Sequence, residues 1–438
     1  MFLQKNKRYL TGIDWIIHAL DYASKKATGV GNVSQIVLEL DGFPPQDDLR
    51  ERLVRFIKHY PVTNGRPARD YNFAPYWKVY PKTTISPKLK IHELGDSVTY
   101  PQIISRLGQE INLSFDTVRE HLVFHLIHAK NRNFVAMTFD HRLLDARGAE
   151  AFLGMFQQEQ QEPEDHFKNI SFSRPAHLTR WREKFKSGRQ VNRAFLSLAK
   201  NTPPVLPLPS AREKKKCKFK LISFNKQETA GIIERAYTKA GYLMLMPYAL
   251  AVTMRALQKV FLKRRIHAGD YVIPVSIDMR PPEKVRQEVF FNHVSFFIFR
   301  ITPMEASNFS KLLESIKKQM YDQVKSGLLQ DFKKASFLMR ILPLSVLARL
   351  MHLPLQGEIA SFCFSYVGET AYGFSEFMQK DVLNIFHMPR SPVPPGLGIF
   401  FNQFQGKLNV VISYIDGVLE EDELSTVAAD IRSYLSTQ

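Results

Sequence analysis

A proline-rich, basic segment divides this 438-residue chain near its middle. Residues 201–216, NTPPVLPLPSAREKKK, hold four prolines and end in a run of three lysines. Proline removes a backbone donor and fixes φ, so such a stretch continues neither a helix nor a sheet and predicts a crossover between two units. We expect a first lobe at residues 1–200, a linker at 201–217 and a second lobe at 218–438.

The first half combines strand and helix patterns. Asp14 is expected to cap a helix that begins at Trp15. Further elements follow from apolar periodicity and turn residues: a strand at 32–42, a helix at 47–61, two strands within 121–141 joined by a polar turn at 130–133, and a helix at 146–156.

The second half repeats this mixture. Asn225 with Glu228 three residues later forms a capping-box pattern that predicts a helix start after the strand at 219–224. The remaining pattern predicts strands at 271–277, 293–301, 359–367, 398–404 and 407–415, and helices at 307–327 and 420–436. Both halves are therefore α/β (α+β), and two comparable lobes of roughly 200 residues each are expected.

The net charge limits the partners. Lys and Arg outnumber Asp and Glu by 60 to 42, a formal charge of +18. This excess favours an anionic partner: a phosphorylated cofactor, an acidic carrier protein, an anionic membrane face or nucleic acid. The sequence has no zinc-finger spacing, RNP-like segment or basic heptad region, which argues against nucleic acid.

The two cysteines, Cys217 and Cys363, are too few and too far apart for a disulfide framework or a zinc site, and they suit a reducing cytoplasm. The N-terminal residues lack the apolar stretch of a signal peptide. The longest apolar segment, residues 242–264, is interrupted by Pro247 and Arg255, which indicates a buried or amphipathic helix rather than a membrane span. A cytoplasmic protein is therefore expected, with peripheral contact to the inner membrane face left open.

The densest cluster of reactive side chains is TFDHRLLDARG, residues 138–148. It lies between a predicted strand and a predicted helix, where side chains can project into a cleft. A neutral imidazole at His141 could act as a general base toward a hydroxyl or an amine. Asp145, four residues later, would return to the same side through one helical turn.

Three other histidines lie within one predicted strand. Strand alternation puts His121 and His125 on one face and His128 on the other. No matching carboxylate is evident nearby in the sequence, so no metal site is expected.

The segment FDHRLLDARGAEAFL resembles the His-x-x-x-Asp-Gly signature of the CoA-dependent acyltransferase superfamily. Two further blocks occur in the same order as in that superfamily's condensation-like members: IPVSIDMRPPEKVRQEVFFNHVSFFIF (273–299) and PPGLGIFFNQFQGKLNVVISYIDGVLEEDEL (394–424). The motif lies in the first third of the chain, as in the monomeric two-lobed branch of condensation domains and wax ester synthase-like enzymes. The resemblance implies two chloramphenicol-acetyltransferase-like lobes that form a pseudo-dimer with a central channel.

The resemblance also implies roles for individual residues. His141 would be the general base and Asp145 a structural carboxylate. Arg280 would be the ion-pair partner of Asp145 across the lobes, and Asn292 would line the channel. Ser365 and Tyr366 are only candidates for stabilising an oxyanion.

The chain departs from the pattern at three positions. Asp140 replaces the first histidine of the common double-His motif. Ala146 stands where glycine follows the aspartate, with Gly148 two places later, and Phe291 replaces the glycine before Asn292. A channel narrowed at Ala146 or Phe291 would fit a non-catalytic, condensation-like binding module.

The implied activity is acyl transfer from acyl-CoA or an acyl carrier protein to a hydroxyl or amine. It requires no metal and no permanently bound cofactor. An alternative is a wax-ester or lipid-forming acyltransferase at a membrane surface, for which the basic, apolar segments 242–264 and 337–355 would provide contact.

Overall fold

The structure is a computed structural model. It describes residues 7–80, 88–95, 97–129, 132–157, 180–198, 202–209, 215–266, 269–281, 288–353, 355–370 and 375–437. Within the predicted linker, residues 202–209 form neither helix nor strand, whereas 201 and 210–214 lie outside the described residues. The lobe boundaries stay a prediction.

Helices are distributed over both halves. Within the described residues they are α1 (Gly12–Thr28), α2 (Gln46–His59), α3 (Tyr100–Ile111), α4 (Ala146–Gln157), α5 (Trp181–Leu198), α6 (Lys226–Ala240), α7 (Leu245–Lys263), α8 (Pro303–Ser307), α9 (Phe309–Lys325), α10 (Leu328–Met339), α11 (Leu344–His352) and α12 (Glu421–Thr437).

Strands alternate with these helices along the chain. In the described part they are β1 (Lys7–Tyr9), β2 (Val33–Leu40), β3 (Arg66–Arg69), β4 (Pro75–Lys78), β5 (Lys88–Leu94), β6 (Leu122–Ala129), β7 (Arg132–Asp140), β8 (Cys217–Phe224), β9 (Tyr271–Asp278), β10 (Val294–Ile301), β11 (Cys363–Glu369), β12 (Glu376–Phe377), β13 (Lys380–Pro389), β14 (Leu397–Phe404) and β15 (Lys407–Ile415).

The strands build two six-stranded sheets and one small sheet. The first large sheet has the order β12-β13-β2-β7-β6-β5, and the second has the order β10-β9-β11-β14-β15-β8. The strands β1, β4 and β3 form the small sheet. This mixed α/β architecture confirms the predicted fold class.

The two large sheets repeat one pattern. In each, a strand that precedes a helix (β2 or β8) pairs antiparallel with the second strand of a hairpin (β7 or β15). The first strand of that hairpin (β6 or β14) pairs parallel with another strand (β5 or β11). A helix follows each hairpin, α4 in the first half and α12 in the second. The repeat accounts for the pseudo-dimeric arrangement, and only the first copy carries histidine in its hairpin-to-helix loop.

One strand of the second half crosses into the first sheet. Strand β13 pairs antiparallel with β2, from Val382 opposite Leu40 to Pro389 opposite Ser34. Asn384 on β13 exchanges side-chain hydrogen bonds with Asn409 of the second sheet at 2.9 and 3.1 Å. The sequence analysis did not anticipate this exchange.

Apolar side chains fill both halves of the chain and the space between the two large sheets. The largest cluster lies in the second lobe around α7, most of whose residues are buried. A third cluster joins Val37, Phe134 and Phe386 of the first sheet to Val411 of the second. Burial at about 25 cal/mol per Å² of apolar surface holds the two sheets together there.

Helix α1 begins earlier than expected. Its N-cap is Thr11, whose hydroxyl accepts the Asp14 N–H at 3.1 Å, while the Asp14 carboxylate accepts the Thr11 N–H at 2.8 Å. Asp14 is therefore the third residue of a capping box, and the prediction that it is itself the cap was wrong. The helix expected at 307–327 is present as α9, which begins at Phe309 after the Asn308 cap, and the short α8 directly precedes it.

Among the described residues no single helix is long and apolar enough to cross a membrane. Only α6 and α7 together reach the required length and composition, and they are bent by 93° at their junction.

Candidate active site

The loop between β7 and α4 carries the motif and is shaped by Asp140. The Asp140 carboxylate accepts the backbone N–H of Arg142 and the ring Nδ1 of His121, both at 2.9 Å. Burial raises the pKa of Asp140, but Arg142 and His121 outweigh it and hold that pKa well below its ordinary value. Asp140 and His121 thus form a buried pair that fixes the loop. At the position where the double-His motif has its first histidine, this chain has a structural anion.

Both oxygens of Asp145 are occupied by hydrogen bonds. Oδ1 accepts from Arg280 Nη2 at 2.8 Å and from the Gly148 N–H at 2.7 Å, and Oδ2 accepts the His293 N–H at 3.0 Å. Burial raises the pKa of Asp145. The Arg280 guanidinium and the other donors have the larger, opposite effect, so the pKa lies below its ordinary value. Asp145 is therefore a buried anion that joins the halves and not a partner for the His141 ring.

Arg280 lies just beyond β9 and connects three segments. Its side chain is fully buried and also binds Asp278 at 2.9 Å and the Glu288 carbonyl at 2.7 Å. The structure thus brings Arg280 and Asp145 together across the two halves. The five guanidinium donors suit this geometry, because they can serve two carboxylates and a carbonyl at once.

Residues 288–293 of the second half dock onto the motif loop. The Phe291 N–H donates to the Leu143 carbonyl at 2.6 Å, and Asn292 Nδ2 donates to the His141 carbonyl at 3.0 Å. The Asn292 N–H donates to Asp14 at 3.0 Å, which ties the same segment to α1. Asn292 therefore supports the backbone of His141.

His141 is held by its backbone and not by its ring. Its N–H donates to the Asn32 carbonyl at 3.0 Å and its carbonyl accepts from Asn292. The side chain is half-buried, and Nδ1 is buried with no hydrogen-bond partner among the described residues. The imidazole thus lies at the junction of the two halves, and its buried Nδ1 makes no hydrogen bond to a described residue.

Phe291 occupies a backbone conformation that favours glycine. Its φ is +73°, which costs a residue with a Cβ roughly 1–2 kcal/mol. The ring is fully buried, 5.7 Å from Trp77 in an edge-on contact, and the Arg8 guanidinium lies 3.5 Å above it. Burying a phenylalanine side chain contributes about 1.5–3 kcal/mol, which offsets the strain.

The glycine that this motif requires is Gly148 and not residue 146. Ala146 simply begins α4, whereas a Cβ on Gly148 would lie 2.3 Å from the Val289 carbonyl oxygen. Helix α4 can therefore approach the 288–293 segment only with glycine at position 148.

Replacing Gly148 by alanine is expected to lower the free energy of unfolding by about 1–3 kcal/mol through overpacking against Val289. Ala146→Gly is the matched control in the same helical turn and should cost about 1 kcal/mol or less. Urea denaturation measures both, and equal losses in the two variants would contradict this account of the contact.

Arg147 is a contact between the halves that the sequence analysis missed. It donates to the carbonyls of Val367 and Glu369, the latter at 2.6 Å, and to Glu150 at 2.9 Å. Arg147 therefore ties the first turn of α4 to the end of β11. The sequence offered no signal for the contact between the halves, because the two carbonyl acceptors are backbone atoms some 220 residues away.

Arg147→Ala is expected to lower the free energy of unfolding by about 1–3 kcal/mol, since charge-assisted hydrogen bonds to two carbonyls are lost. Arg147→Lys keeps the charge but cannot fork to both carbonyls, and should recover only part of the loss. Thermal unfolding of both variants beside the wild type provides the measurement, and full recovery by lysine would show that charge alone matters.

The two oxyanion candidates lie on β11. Ser365 accepts a hydrogen bond from Ser276 at 3.0 Å, and burial raises the pKa of Tyr366 to about 12. Tyr366 thus keeps its proton and could donate a hydrogen bond. Among the described residues, neither side chain hydrogen-bonds to the loop at 141–145.

The remaining predicted histidines are divided as strand alternation requires. His121 serves Asp140, and its other ring nitrogen bonds the Gly65 carbonyl at 2.8 Å. His128 faces the other way and bonds Asn133 at 2.7 Å. His125 lies beside a carboxylate, Glu110 of α3, at 3.9 Å. The sequence analysis did not find this carboxylate, because α3 reaches β6 only through the tertiary fold.

No protein-family model matches this sequence, and no curated protein is similar enough to it to count as a relative. Solved structures are similar over nearly the whole chain. The trichothecene 15-O-acetyltransferase of Fusarium sporotrichioides has a TM-score of 0.71 at 14% identity, covering 98% of this chain and 95% of that one. The first condensation domain of the calcium-dependent antibiotic synthetase, in complex with a substrate analogue, has a TM-score of 0.68 at 13% identity, covering 98% and 95%.

This chain has the mixed α/β fold of these acetyltransferase and condensation-domain structures. An epimerization domain from tyrocidine synthetase B shares it, with a TM-score of 0.62 at 15% identity and coverage of 98% and 96%. Proteins named for acetyl transfer, condensation and epimerization thus share this fold. At such low identity the similarity establishes the acyltransferase-like architecture, while the reaction must be argued from the site.

Proposed function

We propose that this chain is an acyltransferase that moves an acyl group from a thioester to a hydroxyl or amine, with His141 as the general base. One observation carries the proposal: the His141 imidazole is held at the junction of the two halves by its backbone, with Nδ1 free of hydrogen bonds among the described residues. The acyltransferase-like fold and the Asp145–Arg280 pair that fixes the loop support it.

The step is a proton-coupled attack on a carbonyl carbon. The acceptor oxygen or nitrogen forms a bond to the thioester carbon while its proton passes to His141. The tetrahedral intermediate then collapses, the carbon–sulfur bond breaks, and the imidazolium returns the proton to the thiolate. The products are an ester or amide and a free thiol, so the protein ends in its starting state.

Asp145 contributes by position. Its oxygens are saturated by Arg280, Gly148 and His293, so it stabilises the loop geometry instead of relaying a proton. Tyr366 and Ser365 remain candidates for oxyanion donors, because β11 is tied to α4 through Arg147. Preorganised donors of this kind are often the largest single contribution to acyl-transfer catalysis.

The donor we propose is acyl-CoA or an acyl carrier protein, which a chain with a formal charge of +18 would attract. The acceptor would enter a channel between the lobes. We further propose a cytoplasmic monomer that needs no permanently bound cofactor.

The test uses purified protein with a panel of acyl-CoA and acyl-carrier thioesters and a small-molecule extract as the acceptor source. Free thiol release and mass spectrometry of new esters or amides are measured together. We expect thiol release matched by an acylated product with at least one donor. Absence of both across a broad panel would overturn the proposal in favour of a non-catalytic binding module.

An alternative, a lipid-forming acyltransferase at a membrane surface, rests on α11 and its flanks. Val346 and Leu350 are about two-fifths exposed, and Ile341 and Leu353 more than half, next to Arg349. By contrast α7, the other helix considered for this role, is buried in the core. Co-sedimentation with anionic liposomes that is lost in Val346→Ser and Leu350→Ser would support this alternative, and its absence would exclude it.

A further inference from the structure

Two histidines and a carboxylate converge on the first sheet, away from the His141 loop. His92 of β5 and His125 of β6 approach through Nε2 and Nδ1 at 3.4 Å. Each nitrogen lies 3.9 Å from an oxygen of Glu110 on α3. These two contacts go to different oxygens, and one donor atom from each residue lies within 4.8 Å of the other two. Donors that share one cation at roughly 2.0–2.2 Å stand about 3–4 Å apart, so the three side chains need to close by only about 1 Å to form a ligand set.

The three donors are fixed, whereas the cations beside them are not. The side chains of His92, Glu110 and His125 are 9%, 6% and 2% exposed. Lys90 and Arg106 bind Glu110 at 2.8 and 3.0 Å, but their side chains are 37% and 38% exposed and can swing into solvent. The Lys90 ammonium and the Arg106 guanidinium thus supply positive charge beside the Glu110 carboxylate, as a metal ion would.

We propose that His92, Glu110 and His125 bind a divalent transition-metal ion of the zinc type. Two imidazoles and one carboxylate suit Zn²⁺ or Co²⁺, whereas Mg²⁺ and Ca²⁺ prefer all-oxygen sets. The site is independent of the proposed acyl transfer. This proposal departs from the expectation of no metal site. That expectation arose because no carboxylate lies near these histidines in the sequence, and Glu110 reaches them only in the folded chain.

The surroundings of His125 orient it as a ligand. Its Nε2 lies 3.0 Å from the Thr138 hydroxyl, which also accepts a hydrogen bond from Gln35 at 2.8 Å. A neutral ring that donates Nε2–H to Thr138 presents the Nδ1 lone pair to the cluster, as metal-binding histidines usually do.

The hydrogen bonding of His92 limits the affinity of the cluster for a metal ion. Its Nδ1 is 3.0 Å from Arg106 Nη2, which can only donate, so the neutral ring carries its proton on Nε2. Metal binding requires that proton to move to Nδ1 and Arg106 to turn away. No proton is lost, but a guanidinium contact is broken. Arg106 therefore lowers the affinity for the metal ion. Removing Arg106 should strengthen metal binding, an effect that is not expected if the cluster is only structural.

A small cavity lies beside two of the three proposed ligands, Glu110 and His125. It has a volume of about 20 Å³ and is lined by Glu110 and His125 together with Lys88, Lys90 and Thr138. This is enough for one water, which needs roughly 10–15 Å³. A zinc ion with three protein ligands usually takes a water as its fourth ligand, and this cavity has room for one beside Glu110 and His125.

The test uses the full chain, stripped with a chelator, titrated with Zn²⁺ by calorimetry and with Co²⁺ by visible absorption. We expect one ion per chain and a rise in melting temperature. His92→Ala and Glu110→Gln should weaken binding at least about tenfold, and His128→Ala, on the other face of the strand, should not change it.

Arg106→Gln, a change at a half-exposed position, should strengthen binding by about tenfold or more, since the competing donor is gone. This variant keeps the test decisive even if a core variant fails to fold. The proposal is overturned if the wild type binds no more tightly than Glu110→Gln, or if Arg106→Gln binds no more tightly than the wild type.

Discussion

Asp145→Ala is expected to lower the free energy of unfolding by about 3–5 kcal/mol, the usual cost of leaving a buried charge without its partner. Arg280, whose side chain is fully buried, would lose the contact at 2.8 Å, and the N–H groups of Gly148 and His293 would lose their acceptor. Urea denaturation followed by circular dichroism measures the change.

A double-mutant cycle separates the pair from its surroundings. Arg280→Met alone should be costly, but the double variant Asp145→Ala/Arg280→Met should lose clearly less than the sum of the single losses, because no unpaired charge remains. Arg432→Met is the control for an arginine in an exposed ion pair and should cost about 1 kcal/mol or less. Additive losses, or a loss below about 1 kcal/mol for Asp145→Ala, would contradict the account of the interlobe pair.

Local patterns in the sequence predicted the elements around the site well. The two strands within 121–141, the helix from residue 146 and the capping box at Asn225 all follow from short-range signals and are present, while the turn predicted at 130–133 lies partly outside the described residues. Strand β13 was missed because its place beside β2 depends on pairing between residues about 350 apart. Such pairing leaves no local trace in a single chain.

The candidate site was accessible from the sequence only in part. His141 and Asp145 stand out by residue type and spacing, and the resemblance suggested Arg280. The Asp140–His121 pair and the interlobe contacts of Arg147 could not be predicted, because in each the partner is brought close only by pairing of the strands in the folded sheets. The role of Phe291 became clear only from its positive φ angle, and that of Gly148 only from its close approach to the Val289 carbonyl. Neither quantity can be read from residue identity.

His141→Ala is expected to slow acyl transfer by about 10²–10⁴-fold, the usual contribution of a positioned general base. The fold should survive, because the ring is half-buried and its Nδ1 has no hydrogen-bond partner among the described residues to leave unpaired. The backbone contacts with Asn32 and Asn292 do not depend on the side chain. His128→Ala, on the far end of β6, is the matched histidine control.

The decisive measurement is the rate of acylated product formation by wild type, His141→Ala and His128→Ala at equal concentration, on the best donor from the thioester panel. The account predicts product at equal rates for wild type and His128→Ala, and at least a hundredfold less for His141→Ala with an unchanged melting temperature. Product formation by His141→Ala at the wild-type rate would contradict it.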